Sequence, residues 1–258
     1  MSLSADQIER YARHLMLKEI GGIGQNRLLS AHVALIGLGA LGGPASLYLA
    51  AAGIGRLTLI DDDTISRSNL QRQVIFQTAD IGASKVKIAK ERLLALNPDC
   101  RIDAVADRLT PDNAQDLLSN ADIVVDGSDS FETRFCSNET CIALERTLIT
   151  GAVGRWSGQM STFKAGLTKR LPFEQRLPCY RCFVTDIPET VETCAMVGVV
   201  GPLAGIIASR MSMETIKEIT KAGESMAGRL WIFEALSGET RTLALKPDPN
   251  CPACGSFQ

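Results

Sequence analysis

Histidine is scarce in this 258-residue chain: His14 and His32 are the only two. A site that moves hydride to or from a nicotinamide needs a proton donor beside it, commonly His or Tyr. His14 falls in the opening helical stretch and His32 begins a strand, so neither is placed for that task. Net charge is also lacking. Lys and Arg number 27 against 29 Asp and Glu, a formal −2, which builds no field for nucleic acid or an anionic lipid surface. The longest nearly apolar run, residues 197–209, ends at Arg210 and is too short to span a bilayer. The charged start "MSLSADQIERYARH" has no apolar centre, so no export signal is expected. Internal repeats and low-complexity segments are absent from the 258 residues.

What is present fits a globular α/β protein of the cytosol: 45% hydrophobic residues, 22% charged and 22 glycines. Eight cysteines without an export signal point to a reducing compartment, where paired cysteines hold metal more readily than disulfides. Ser4-x-x-Gln7 has the form of a capping box, and Ile8, Tyr11 and Leu15 follow at helical spacing, which predicts an opening amphipathic helix. Strand-like "HVALIG", "RLTLID", "RIDAVAD", "ADIVVDGSD" and "TLITGAV" alternate with helix-like "GPASLYLAAAGIG", "ASKVKIAKERLLALNP", "PDNAQDLLS" and "FETRFCSNETCIALE". Thr110 is read as the cap of the third of these helices, with Pro111 at its first position. This alternation predicts a Rossmann-like, doubly wound, mostly parallel sheet. "GQMSTFKA" and "RLWIFEALSGETRTLALKP" predict antiparallel strands extending it, and residues 167–193 a long irregular crossover.

Between the first strand and the first small-residue helix lies Gly37-x-Gly39-x-x-Gly42. Such glycines allow a tight turn, close backbone approach to phosphate and close helix–strand packing. Asp61 follows 19 residues after Gly42, where a carboxylate can accept from a ribose hydroxyl. These features predict a nucleotide and do not separate NAD from ATP. The segment "SRSNLQRQ" sets Arg67, Asn69 and Arg72 just beyond the carboxyl edge of the sheet, Lys85 opens the next helix, and Asp129 follows the strand "DIVVD". Two cations and a carboxylate around a nucleotide suit phosphoryl or nucleotidyl transfer. The spacing equally allows Arg72 and Lys85 to be solvated surface charges.

Cys179-x-x-Cys182 and Cys251-x-x-Cys254 are two pairs whose thiolates can close a tetrahedral zinc site, or remain two separate redox or free-thiol pairs. Cys100, Cys136 and Cys141 sit in strand or helix positions and are expected in the core.

"RYARH", "GLGALG", "SNLQRQ", "SKVK", "CYRC", "GPLAG" and "CPACG" occur in that order from about residue 5 to residue 255. Together they resemble the ThiF/MoeB/HesA family, bacterial relatives of the ubiquitin-activating enzymes, and most nearly the molybdopterin-synthase adenylyltransferase type. The resemblance implies one adenylation domain over residues 1–258, with its nucleotide-binding part at about 1–166 and the crossover, zinc site and last strands at about 167–258. It implies adenylation, with MgATP and release of pyrophosphate, of the C-terminal glycine carboxylate of a ubiquitin-like β-grasp sulfur carrier. Molybdopterin synthesis is the expected pathway, with the thiazole of thiamine as the alternative. An NAD-dependent oxidoreductase and a non-catalytic partner-binding module are the readings from other classes.

By matching positions, the resemblance implies that Gly39 and Ala40 line the phosphate loop and Asp61 binds ribose. Ser68, Asn69, Arg72 and Lys85 would contact phosphates, and Asp129 would hold Mg²⁺. Gly37, Gly42, Asp63, Gln71 and Ser130 complete the expected nucleotide set; Ser130 stands where relatives often carry Asn. Arg13 matches an arginine supplied to the partner's nucleotide in a homodimer. Cys194 lies where some relatives link covalently to the carrier, a passive thiol being the other reading. The four paired cysteines are expected to hold structural zinc. Arg72, Lys85, Asp129, Arg13 and Cys194 form the expected catalytic set.

Overall fold

The computed structural model describes residues 3–187 and 198–255. Ser4 and Gln7 form the capping box, Gln7 N–H donating to Ser4 Oγ at 3.2 Å and Ser4 N–H to Gln7 Oε1 at 3.1 Å. The opening helix is broken in two, α1 (Ala5–Arg10) and α2 (Ala12–Leu15), at Tyr11. The reason is an anchor. Tyr11 is buried, and its hydroxyl accepts from Asn97 Nδ2 at 2.9 Å, while Ile8 of the expected apolar stripe is exposed.

Then follow α3 (Gly21–Ser30), β1 (His32–Ile36), α4 (Gly42–Ala51), β2 (Arg56–Ile60), α5 (Lys85–Leu96) and β3 (Arg101–Val105). The chain continues with α6 (Ala114–Leu118), β4 (Ile123–Asp126), α7 (Phe131–Ala143), β5 (Thr147–Gly154), β6 (Ser157–Phe163), α8 (Ala165–Thr168) and α9 (Tyr180–Phe183). It ends with α10 (Gly201–Thr220), β7 (Arg229–Glu234) and β8 (Glu239–Ala244). Helix α6 begins later than expected. Asn113 rather than Thr110 caps it, because Asn113 Oδ1 takes the Thr110 N–H at 2.9 Å and folds residues 111–113 into a turn.

The eight strands form one sheet in the order β3-β2-β1-β4-β5-β6-β7-β8. Pairings from β3 through β5 are parallel, and those from β5 to β8 antiparallel, as expected. All five residues of β1 are buried, because helices cover both faces. Val33 and Leu35 pack with residues of α3, α4, α5 and α10; Ala34 and Ile36 pack with residues of α6 and α7. Among the described residues, no helix is long and apolar enough to cross a membrane.

The chain runs from β1 to β2 on one side and the sheet continues to β4 on the other, so strand order reverses at β1. A crevice opens at the carboxyl ends of strands at such a reversal. Helix α4 reaches this edge because it opens on Gly42 and Gly43, which have no side chains. A β-carbon at Gly42 would run into the carbonyl oxygen of Gly37, and one at Gly127 would lie 2.8 Å from the backbone nitrogen of Gly42. Gly37 itself has φ +79°, which favours glycine. Gly42→Ala should therefore destabilise the chain by at least about 2 kcal/mol in denaturant unfolding, the cost of overpacking against backbone. A loss below about 0.5 kcal/mol, the range of ordinary surface changes, would contradict this packing.

Candidate active site

The crevice is a cleft of about 290 Å³, walled by the glycine loop, the end of β2, the segment after it, and the turn after β4. Asp61 stitches two of these walls together. Its carboxylate accepts from Leu38 N–H in the glycine loop at 2.6 Å and from Asp63 N–H at 2.9 Å. Burial raises its pKa, with the Lys85 ammonium foremost among the influences pulling it back. The folded chain thus holds this proton more tightly than the unfolded chain. The contribution to stability is present below the ordinary carboxylate range and is lost as pH rises through the raised value.

Gly37, Gly39 and Ala40 line the cleft; Gly42 lies behind them, buried at the start of α4. Gly39 is informative. A β-carbon there meets nothing nearer than Gln73 Nε2 at 3.7 Å, so the protein's own packing does not demand glycine at this position. Close approach of a ligand to the backbone supplies the missing reason.

Lys85 is no solvated surface charge. Its side chain is 5% exposed, lines the cleft, and pairs with the exposed Asp63 at 2.7 Å. It is also the first residue of α5, where the helix dipole disfavours a cation. Arg72 and Asn69 line the same cleft from the segment after β2. Arg72 Nη1 donates to Ser68 O at 2.9 Å, and Asn69 Oδ1 accepts Ser66 N–H at 3.2 Å. Ser68 and Gln71 belong to this segment without lining the cleft. Ser68 Oγ lies 3.0 Å from Ser66 Oγ, and Gln71 Nε2 donates to Val199 O at 3.3 Å.

Asp129, exposed in the turn after β4, lines the same cleft. Among the described residues its carboxylate takes no hydrogen bond or ion pair. A carboxylate with unused oxygens in a cleft that also holds Arg72 and Lys85 suits a hard divalent cation. The next residue, Ser130, also lines the cleft, but its hydroxyl caps α7, accepting Thr133 N–H at 3.2 Å and donating to Glu132 Oε2 at 2.6 Å.

The paired cysteines converge. The sulfurs of Cys179, Cys182, Cys251 and Cys254 lie within 4.8 Å of one another. Cys179 and Cys251 approach to 3.5 Å, Cys179 and Cys182 to 3.9 Å, and Cys182 and Cys254 to 3.4 Å. These are far beyond a disulfide bond of about 2.05 Å. They match the S–S separation of about 3.8 Å that a tetrahedral zinc site with Zn–S of about 2.3 Å requires. Cys182 also accepts the Asp248 N–H at 3.4 Å. Four protein ligands leave no open position, so the donor set suits a structural zinc rather than a catalytic one.

A model of the ThiF family matches residues 11–253. The chain belongs to the ThiF family. It is 39% identical over 257 residues to the SAMP-activating enzyme E1 of Haloferax volcanii, covering 99% of this chain and 92% of that one. It is 41% identical over 246 residues to the sulfur carrier protein ThiS adenylyltransferase of Escherichia coli K12, covering 95% and 94%. A solved structure of Escherichia coli MccB with ATP superposes with a TM-score of 0.79 at 23% identity, over 96% of this chain and 75% of that one; the likeness is one of fold.

Within this ThiF-family chain, Arg13 is exposed on α2 and outside its own cleft, its nearest polar contact being Met16 Sδ at 3.8 Å. Cys194 lies outside the described residues. Cys100, Cys136 and Cys141 are buried as expected, and burial pushes the Cys100 thiol up to about 12.

Three cleft groups were not legible as site residues. Arg108 reaches across to Asp62 at 3.2 Å; its strand-exit position carries no signature. Gln73 is buried with Oε1 unpartnered, and its place in "SNLQRQ" could have marked it. Arg134 of α7 donates to Ser128 O at 2.6 and 3.1 Å and to Gly151 O at 2.8 Å, contacts that only the folded chain brings together.

Cys251→Ser should lose bound zinc, measured by elemental analysis, and about 3 kcal/mol or more of unfolding free energy. A variant that keeps both would contradict the closed four-thiolate site.

Proposed function

We propose that this chain adenylates the C-terminal glycine carboxylate of a ubiquitin-like β-grasp sulfur carrier, consuming MgATP and releasing pyrophosphate. One observation carries the reading. A glycine loop whose middle glycine has no packing reason shares a single cleft with Arg72, Lys85 and the uncommitted carboxylate of Asp129. Family membership and the relatives named as adenylyltransferases support the same chemistry.

In this reading a carboxylate oxygen of the carrier forms a bond to the α-phosphorus as the bond to the pyrophosphate oxygen breaks, and no proton is transferred. Two anions must be brought together, so the site has to supply positive charge. Lys85, already desolvated, and Arg72 face the phosphates; Asn69 and the backbone N–H groups of the loop orient them. Each such contact contributes about 2–4 kcal/mol in the transition state, by analogy with loss of an oxyanion donor. Asp61 receives the ribose, and Asp129 holds Mg²⁺. When bound there, the cation would neutralise phosphate charge. Arg13, exposed on α2, is the group we assign to the partner's cleft in a homodimer.

Hydride transfer has no support in the cleft. His14 Nδ1 pairs with Gln25 Oε1 at 3.0 Å, and His32 is buried between Asn120 O and Thr58 Oγ1, both at 2.8 Å. We place the carrier in molybdopterin synthesis. The thiazole of thiamine is the second reading, favoured by the 41% identical relative named for ThiS.

ATP–pyrophosphate exchange, with candidate carriers added one at a time, tests the proposal. Exchange should appear with one carrier and depend on its terminal glycine. Arg72→Ala should lower it by about 10²-fold or more while leaving unfolding unchanged. Exchange at the wild-type rate in that variant would remove Arg72 from the mechanism. No exchange with any carrier would overturn the assigned reaction.

A further inference from the structure

The second residue of the "CYRC" segment does more than space the two cysteines. Tyr180 lies directly after Cys179 and two residues before Cys182, and is 3% exposed. Its ring is held by Phe163, Phe135 and Phe183 at centroid distances of 5.8, 6.0 and 6.4 Å. Its backbone N–H and its hydroxyl both meet α7. The backbone N–H donates to Asn138 Oδ1 at 2.8 Å, and the hydroxyl lies 3.5 Å from Arg134 Nη1.

Arg134 stands one turn before Asn138 and faces the cleft. Its guanidinium binds the carbonyl of Ser128 twice and that of Gly151 once. Ser128 is fixed from its other side by Asp126, whose Oδ1 accepts the Ser128 N–H at 2.9 Å and hydroxyl at 2.6 Å. Asp129 is the next residue, and Ser130 after it caps α7. A continuous set of contacts therefore runs from the cysteine turn through α7 to the turn that presents Asp129.

We propose that Tyr180 is a positioning residue: acting through Arg134, it holds the Asp129 turn in its nucleotide-binding shape and couples the four-cysteine site to the cleft. The inference rests on the nucleotide reading above. Coupling of this kind is reciprocal for binding free energies, so each site must strengthen the other by one factor. Arg134 binds Ser128, the residue before Asp129, and makes no hydrogen bond to Asp61 or the glycine loop, so the effect falls on the metal-bound triphosphate. AMP without Mg²⁺ should be indifferent to it.

The test uses the full-length, zinc-loaded chain and equilibrium titration. Tyr180→Phe keeps the ring and removes the hydroxyl. It should retain zinc and weaken MgATP by about fivefold, the lower end of ordinary coupling, with AMP affinity within about twofold of wild type. In an Arg134→Lys background the same change should produce no further loss. MgATP affinity that is unchanged, or MgATP and AMP weakened alike, would overturn the proposal. So would losses at Tyr180 and Arg134 that simply add.

A second measurement needs no variant. Saturating MgATP should shift the equilibrium competition for zinc between the wild-type chain and a chelator of known affinity by about fivefold in favour of the chain. No shift would overturn the coupling even if Tyr180→Phe fails to fold. Failure of the wild-type chain to bind MgATP at all is a separate result, and it overturns the nucleotide reading together with this inference.

Discussion

Backbone meeting backbone at the carboxyl edge of β1 is the constraint on which the site depends. Gly37, Gly42 and Gly127 come from the turn after β1, the start of α4 and the turn after β4, and at each a β-carbon would meet another segment's backbone at 3.0 Å or less. Because these segments close up without side chains, α4 begins at the sheet edge and the turn carrying Asp129 lies across from the glycine loop. Asp61 then fixes the loop to the end of β2 through the Leu38 N–H. Move any of the three glycines apart and the cleft loses its floor.

Charge is arranged around that floor with a cost the fold sustains. Lys85 is desolvated at a helix N-terminus, and Asp61 carries a pKa raised by burial. Neither arrangement is favourable for folding alone. A carboxyl whose pKa burial raises, standing in a cleft with a buried cation, marks a functional site more often than a structural one. Helix α7 joins this region to the four-cysteine site, since the residue that caps it follows Asp129 and its first two turns bind both Ser128 and Tyr180. The cysteines bring together two segments 68 residues apart, between Cys182 and Cys251, and hold residues 251–254 against α7 and α8.

Much of this was legible in order along the chain. The alternation of β-period and helix-period segments yields the parallel half of the sheet, because strands buried on both faces read as unbroken apolar runs such as "HVALI". Gly37, Gly39, Asp61, Asn69, Arg72, Lys85 and Asp129 all reach one cleft, because each lies between the carboxyl end of a strand and the first residue of the helix that follows it. The break at Tyr11 was not legible, since a buried hydroxyl bond to Asn97 overrides a helical pattern. Nor was the capping role of Ser130, which competes with any contact to nucleotide. Arg134 lay beyond reach for a further reason: its partners, Ser128, Gly151 and Tyr180, come from separate parts of the sequence. The pairing of the cysteines needed the fold as well, because spacing alone allowed two independent pairs.

Gly39 separates the requirements of the ligand from those of the fold. The protein leaves room for a β-carbon there, whereas a phosphate lying on the loop would not. The decisive measurement is the ATP affinity of Gly39→Ala alongside its unfolding free energy. Stability should stay within about 0.5 kcal/mol of wild type while ATP affinity falls by about tenfold or more. A Gly39→Ala variant that binds ATP as tightly as the wild type would contradict the placement of the triphosphate on this loop.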